Sequence, residues 1–220
     1  MSNAVIQLLV LAGIAVFLIL KLRSVLGSRE GFEKPPAPMP SPSEKAARRG
    51  FEVIEGGPDL DITDHAEEGS PQAKALAGMK QVEPQFKVGE FLQGARGAYE
   101  MILMAFEKGE LETVKPFLAN DVYESFAAVV AEREAQGLTV EAQFLGVREV
   151  SLADATFNRD TREAEISVRF QGDMTSVVRD SAGQIIEGSA KEVKKMRDVW
   201  TFERVMGSND PNWQLVATGE

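Results

Sequence analysis

The side chains best suited to chemistry are few and scattered. The chain holds no cysteine and a single histidine, His65. Thiolate nucleophiles, thiolate metal sites and disulfides are therefore excluded, and the redox compartment stays open. His65 stands in an acidic stretch with Asp59, Asp61, Asp64, Glu67 and Glu68. Three aspartates so spaced invite comparison with a calcium loop, but an EF-hand needs glycine at its sixth position and a bidentate Glu at its twelfth. The sixth residue counted from Asp59 is Asp64, so a solvated acidic run is expected instead. A Ser-His-Asp triad needs a rigidly held histidine, which such a run does not supply. Acid–base chemistry in an apolar cavity would require a carboxylate or hydroxyl of displaced pKa, for which Asp173, Asp198 and Tyr99 are the candidates. Nothing at catalytic spacing singles them out, and no catalytic, metal-binding or cofactor-binding residue is assigned.

These groups must be positioned by a chain whose charge is unevenly spread. The 220 residues carry a formal charge of −10, with 24 Lys+Arg against 34 Asp+Glu. Such a balance repels a phosphate backbone, and no nucleic-acid partner is expected. Residues 1–34 hold four basic and two acidic side chains, residues 35–84 hold five and nine, and residues 85–220 hold 15 and 23. Three kinds of chain are marked out.

In the first, Ala4 to Leu20 reads AVIQLLVLAGIAVFLIL, and Leu22 extends the apolar run past Lys21. These positions make about 28 Å of helix against a hydrocarbon core of roughly 30 Å. A cleaved secretory signal would place positive charge before the apolar core and small residues after it. Here Lys21, Arg23 and Arg29 follow it, so residues 1–23 are expected to be an uncleaved transmembrane anchor. Those three residues are the expected topology determinants, retaining the C-terminal part in the cytoplasm.

Residues 24–84 read as a flexible linker. Residues 35–43, PPAPMPSPS, hold five of the ten prolines and cannot continue a helix. From Glu44 to Pro84 no sustained apolar period appears, and the composition promises too little burial to offset ordering entropy.

Regular patterning begins near Phe86. Phe91, Ala95, Ala98, Ile102 and Phe106 recur at spacings of four, three, four and four, with Leu92, Tyr99 and Leu103 widening one helical face. Gly109 suits the left-handed position that closes such a helix. A short helix is expected over Glu110–Leu118, and Asp121 with Glu124 forms a capping-box pattern opening a third that runs to Gly137. After Gly137 the period changes to two. Ile166, Val168 and Phe170 alternate with polar residues, Asp180–Gly183 reads as a hairpin turn, and Trp213–Thr218 reads as a last strand. Helices followed by hairpin-linked strands argue for an α+β domain over residues 85–220, with helices on one face of an antiparallel sheet. Tyr99, Phe106, Phe170, Trp200 and Phe202 are the candidate apolar pocket between them.

The run FLQGARGAYEMILMAFEKGELETVKPFL, Phe91 to Leu118, with Val122, Tyr123, Phe126 and VWTFERVMGSNDPNWQLVATGE, Val199 to Glu220, closely resembles the C-terminal domain of the Tim forty-four-like family. That family includes the adaptor of the mitochondrial inner-membrane import motor and alphaproteobacterial, TimA-type members. The resemblance implies a cone-shaped fold of the nuclear-transport-factor-two type, with helices curled on a bent sheet, and a non-enzymatic adaptor at an inner membrane. The long basic N-terminal region of the mitochondrial adaptor is absent, so its import-motor role is not carried over whole.

The functional expectation is a single-pass protein of a bacterial inner membrane. It would be a non-enzymatic adaptor or assembly factor, linked to protein translocation, whose apolar pocket takes a protein segment or a lipid tail. Its partner would be a chaperone or insertion machinery, and no cofactor is expected. The alternatives are a periplasmic secretion-channel or envelope-assembly subunit, and an isomerase-like enzyme on the same scaffold.

Overall fold

The computed structural model describes residues 59–219. The anticipated span at Ala4–Leu22, the determinants Lys21, Arg23 and Arg29 and the Pro-rich spacer lie outside the described residues. Among the described residues, no helix is long and apolar enough to cross a membrane.

Among the described residues four α-helices precede four strands: α1 (Leu60–Thr63), α2 (Pro71–Val82), α3 (Val88–Lys108) and α4 (Asn120–Ala135), then β1 (Thr139–Phe157), β2 (Glu163–Arg179), β3 (Ile185–Val205) and β4 (Gln214–Gly219). The strands form one antiparallel meander in the order β1-β2-β3-β4. This is the α+β class expected from helices followed by hairpin-linked strands.

The first difference from the sequence reading lies in the linker. Residues 59–82 are largely helical and belong to the core: Ile62, Leu76 and Met79 are buried beneath α1 and α2. The Ser70 hydroxyl accepts from the Ala73 amide at 3.1 Å and Pro71 fills the first helical turn, the usual opening of a helix. Helix α2 packs on β1 so closely that a Cβ added to Gly78 would stand 2.8 Å from Phe157 Cδ1. Half of its buried residues, Ala73 and Gly78 beside Leu76 and Met79, are small, which is why no strong apolar period announced it.

Helix α3 follows the predicted face, and Gly109 closes it at φ 75°. Its opening is less local. Lys87 supplies no side-chain cap, and the Asp61 carboxylate, 27 and 28 residues away, accepts from the Val88 and Gly89 amides at 2.9 and 3.0 Å. Lys80 Nζ reaches Asp59 and Asp61, both at 2.7 Å. Two of the three aspartates considered for a calcium loop, Asp59 and Asp61, are thus capping groups paired with a lysine.

The helix expected over Glu110–Leu118 is two 3-10 turns, Leu111–Thr113 and Lys115–Phe117. Pro116 has no amide to offer a continuous helix. The capping box also fails. Helix α4 begins two residues early, at Asn120, so Asp121 lies inside the first turn and Asn120 Nδ2 donates to Glu124 Oε1 at 2.8 Å instead. The Ala119 amide donates to the Leu215 carbonyl at 2.9 Å, which ties the start of α4 to β4.

The hairpin between β2 and β3 turns where expected. Asp180 Oδ1 accepts from Ala182 and Gln184, both at 2.9 Å, and Gly183 takes φ 79°. Three register shifts in β1, between Phe144 and Gly146, Val147 and Glu149, and Leu152 and Asp154, disturb its pairing with β2. Bulges of this kind bend an edge strand and raise its twist. Ala164, Ile166, Val168, Phe170, Gly172 and Met174 of β2 are all buried, as a central strand beneath helices requires.

Candidate functional site

The predicted aromatic residues divide between two places. Tyr99, Phe170 and Trp200 are buried core: Tyr99 stacks on Phe170 with centroids 4.4 Å apart and 13° between planes, and lies 4.7 Å from Trp200. Phe202 adjoins Trp200 at 6.5 Å. Phe106 stands apart, 4.8 Å from Phe126, with the Arg133 guanidinium 4.5 Å from its ring centroid. Four of the five therefore meet, and of these four only Phe202 lines the open apolar surface nearby.

That surface is a groove of about 380 Å³ between the first turns of α3 and the β3–β4 loop. Helix α3 contributes Phe91, Ala95, Ala98 and Ile102 from one side, because these positions repeat at helical spacing. Phe86, Phe117 and Phe202 also line it, and Trp213 lines it from the β3–β4 loop with Pro211 and Asn212. Trp213 lies 4.7 Å from Phe91 and 6.0 Å from Phe86, while Phe91 meets Phe202 edge-on at 6.1 Å. Gly94 leaves open space at the lip, with nothing within 4 Å of an added Cβ.

Charge on the rim is internally balanced. Lys87 pairs with Glu90 at 2.8 Å, and Glu83 pairs with Arg204. The Arg204 hydrogen bond, more than the opposing burial, holds the Glu83 carboxyl below its ordinary pKa, and the Gly207 amide adds to the same effect. With its ions paired and its walls aromatic, the groove can bury an apolar group without stranding a charge.

Two of the three acid–base candidates, Tyr99 and Asp198, meet, and Asp173 stands apart from them. Tyr99 Oη donates to Asp198 Oδ2 at 2.6 Å, and burial first, then this carboxylate, push the phenol pKa well above its ordinary value. Asp173 pairs instead with Arg148. The groove is lined by none of the three. His65 sits in the segment after α1, where its Nε2 would stand 3.8 Å from a Cβ on Gly89.

Of the groove's apolar lining, sequence reasoning named only Phe202 as a pocket residue and missed Phe86, Phe91, Ala95, Ala98, Ile102, Phe117 and Trp213. Helical spacing had placed Phe91, Ala95, Ala98 and Ile102 on one face, and Phe117 and Trp213 were legible as apolar. Nothing local marked which apolar positions lie on the open side of that face.

A family model described as Tim44-like domain matches residues 72–220. The chain is 26% identical over 147 residues to the mitochondrial import inner membrane translocase subunit TIM44 of Homo sapiens, covering 66% of this chain and 32% of that protein. It is 24% identical over 123 residues to subunit TIM44-1 of Arabidopsis thaliana, covering 56% and 26%. The chain thus spans about a third of the length of the curated relatives it matches. Among solved structures, the intermembrane space region of chloroplast protein ARC6 is similar with a TM-score of 0.42 at 14% identity, covering 58% of this chain and 94% of that one.

Proposed function

The chain belongs to the Tim44-like domain family, and we propose that it works as a membrane-anchored, non-enzymatic adaptor that takes an apolar protein segment into the groove between α3 and the β3–β4 loop. The observation that carries this reading is the groove itself: an open aromatic trough with paired rim charges, built on a rigid helix. Burial of apolar surface contributes roughly 25 cal/mol per Å², so one large apolar side chain seated in the groove would anchor a partner. The relatives named above are translocase subunits, which supports a role in protein transport. The apolar run at Ala4–Leu20 with Lys21, Arg23 and Arg29 after it supports anchoring in a bacterial inner membrane with the domain on the cytoplasmic side. Tethering would raise the domain's effective concentration at that membrane. A cone-shaped fold of the nuclear-transport-factor-two type is part of the same reading, supported by the bulged β1 and the helices stacked on one face.

The test is a photo-reactive residue at Phe117 in the full chain, with Ala98→Trp as the blocking change. Cross-links from position 117 should disappear with Ala98→Trp while membrane residence is unchanged. Undiminished cross-linking in a folded Ala98→Trp protein would remove the groove from the mechanism.

A further inference from the structure

The β3–β4 loop that carries Trp213 has no strand or helix of its own between Met206 and Gln214, yet it supplies a whole wall of the groove. What fixes it is Arg204. Its Nη1 donates to the Pro211 carbonyl at 3.2 Å, its Nη2 donates to Glu83, and its guanidinium lies 5.2 Å from the Trp213 ring centroid. Glu83 Oε2 accepts in turn from the Gly207 amide at 3.2 Å. Glu83 closes α2 as its C-terminal residue and also lines the groove. Two side chains 121 residues apart therefore clamp both ends of the loop to the α2–α3 connection.

The clamp is expensive for the fold. The Arg204 side chain is 9% exposed, and its Nε is buried without an acceptor. A buried donor without a partner gives up its hydration with nothing in return. A loop that needed only to turn from β3 to β4 could do so with its own turn residues, such as the Asp210 carboxylate that accepts from the Asn212 amide at 2.9 Å.

We infer that Arg204 and Glu83 act as one latch that holds the β3–β4 loop as a preformed aromatic wall, so that they are positioning residues for groove binding. Arginine suits this role better than lysine, because its planar fork reaches a carboxylate and a carbonyl while stacking on an indole. The latch makes binding cheaper by ordering Trp213 beforehand. This inference rests on the groove being the binding site.

The chain has no cysteine, so single thiols can be introduced cleanly. In the full chain, Ala98→Cys places a thiol in the groove and Ala128→Cys places one on the exposed side of α4 as a control. The rate of reaction with N-(1-pyrenyl)maleimide, divided by that with N-ethylmaleimide, measures how well the surroundings hold an apolar ring. We expect this ratio at position 98 to exceed that at 128 by roughly tenfold, as an aromatic-lined site should. Arg204→Met should bring the ratio at 98 to near the control value, and Glu83→Ala should do the same. The double variant should lose no more than either single, because both break one unit. Arg204→Lys, the milder change, should lose part of the ratio while remaining folded by circular dichroism. Equal ratios at 98 and 128 in the otherwise unchanged chain would remove the groove as a binding site and the latch with it. A raised ratio at 98 that stays within about twofold in folded Arg204→Met, or losses that add in the double variant, would leave the groove standing and overturn the latch.

Discussion

The clearest test of the fold concerns Asp61, because it decides whether residues 59–82 belong to the domain. Its carboxylate caps α3 by accepting from Val88 and Gly89, and it shares Lys80 with Asp59. Removing an N-cap costs about 1 kcal/mol, and hydrogen bonds to a charged group contribute about 1.5–3 kcal/mol. Lys80 keeps Asp59 as a partner after Asp61→Ala, so no cation is stranded and the loss stays near the lower end of the combined range. We expect Asp61→Ala to destabilise by about 2 kcal/mol and Asp61→Asn, which retains one acceptor oxygen, by about 1 kcal/mol. The pH dependence follows from the direction of the pKa. Burial pushes the carboxyl up, but Lys80 and the Gly89 and Val88 amides outweigh it, so the folded value lies below the ordinary one. Asp61 therefore stabilises fully above its unfolded pKa of about 3.9, and this contribution fades as pH falls through the folded value. The gap between the native chain and Asp61→Asn should be constant near neutrality and narrow below about pH 4. Urea unfolding of the full chain, followed by the fluorescence of buried Trp200, gives both numbers. An Asp61→Ala protein within about 0.5 kcal/mol of the native chain at pH 7 would show that solvent caps α3 equally well. It would refute the claim that α1 is built into the domain.

Leu76 is fully buried under α2, so Leu76→Ala should cost about 3 kcal/mol in the same urea assay, a penalty that a solvated linker residue would not carry. Glu203 faces Glu165 directly across the β2–β3 pair, and burial first, then Glu165 and Glu163, raises its pKa. Glu203→Lys should therefore stabilise by about 0.5 kcal/mol, an effect that diminishes in high salt. Tyr99 holds its proton in the folded state beyond its unfolded pKa of about 10. Stability contributed by this group is present below that pH and is lost as alkali ionises the unfolded chain. Absorbance at alkaline pH should show Tyr99 ionising only together with unfolding, and Tyr99→Phe should destabilise by about 1–3 kcal/mol by leaving Asp198 without its donor.

Several elements were legible because their signal is local. The four-three-four-four spacing from Phe91 to Phe106 specifies the buried face of α3, and Gly109 marks its end, since a left-handed residue there favours glycine. Ile166, Val168 and Phe170 specify the inward face of β2 in the same way. Elements stabilised from a distance were not legible. Helix α2 offers Ala73, Leu76, Gly78 and Met79 to the core, and the small residues among them matter because Phe157 fills the space they leave. Composition alone records them as a weak apolar tract. The capping pattern at Asp121 misled because the Ala119 amide, bound to Leu215, starts α4 two residues early.

By itself, then, the sequence determined the α+β class, the helix and strand faces, the hairpin at Asp180–Gly183 and the resemblance to the Tim44-like family that the match over 72–220 bears out. Tertiary structure alone decided which apolar residues are core and which line a groove. Tyr99, Phe170 and Trp200 were indistinguishable in type from Phe117 and Trp213. The former lie between helix and sheet, while the latter border a space that no other element fills. The physical reason is that hydrophobic burial is non-directional. Periodicity tells which side of an element leaves water, but only the packing of partners distant in sequence tells whether that side is fully covered.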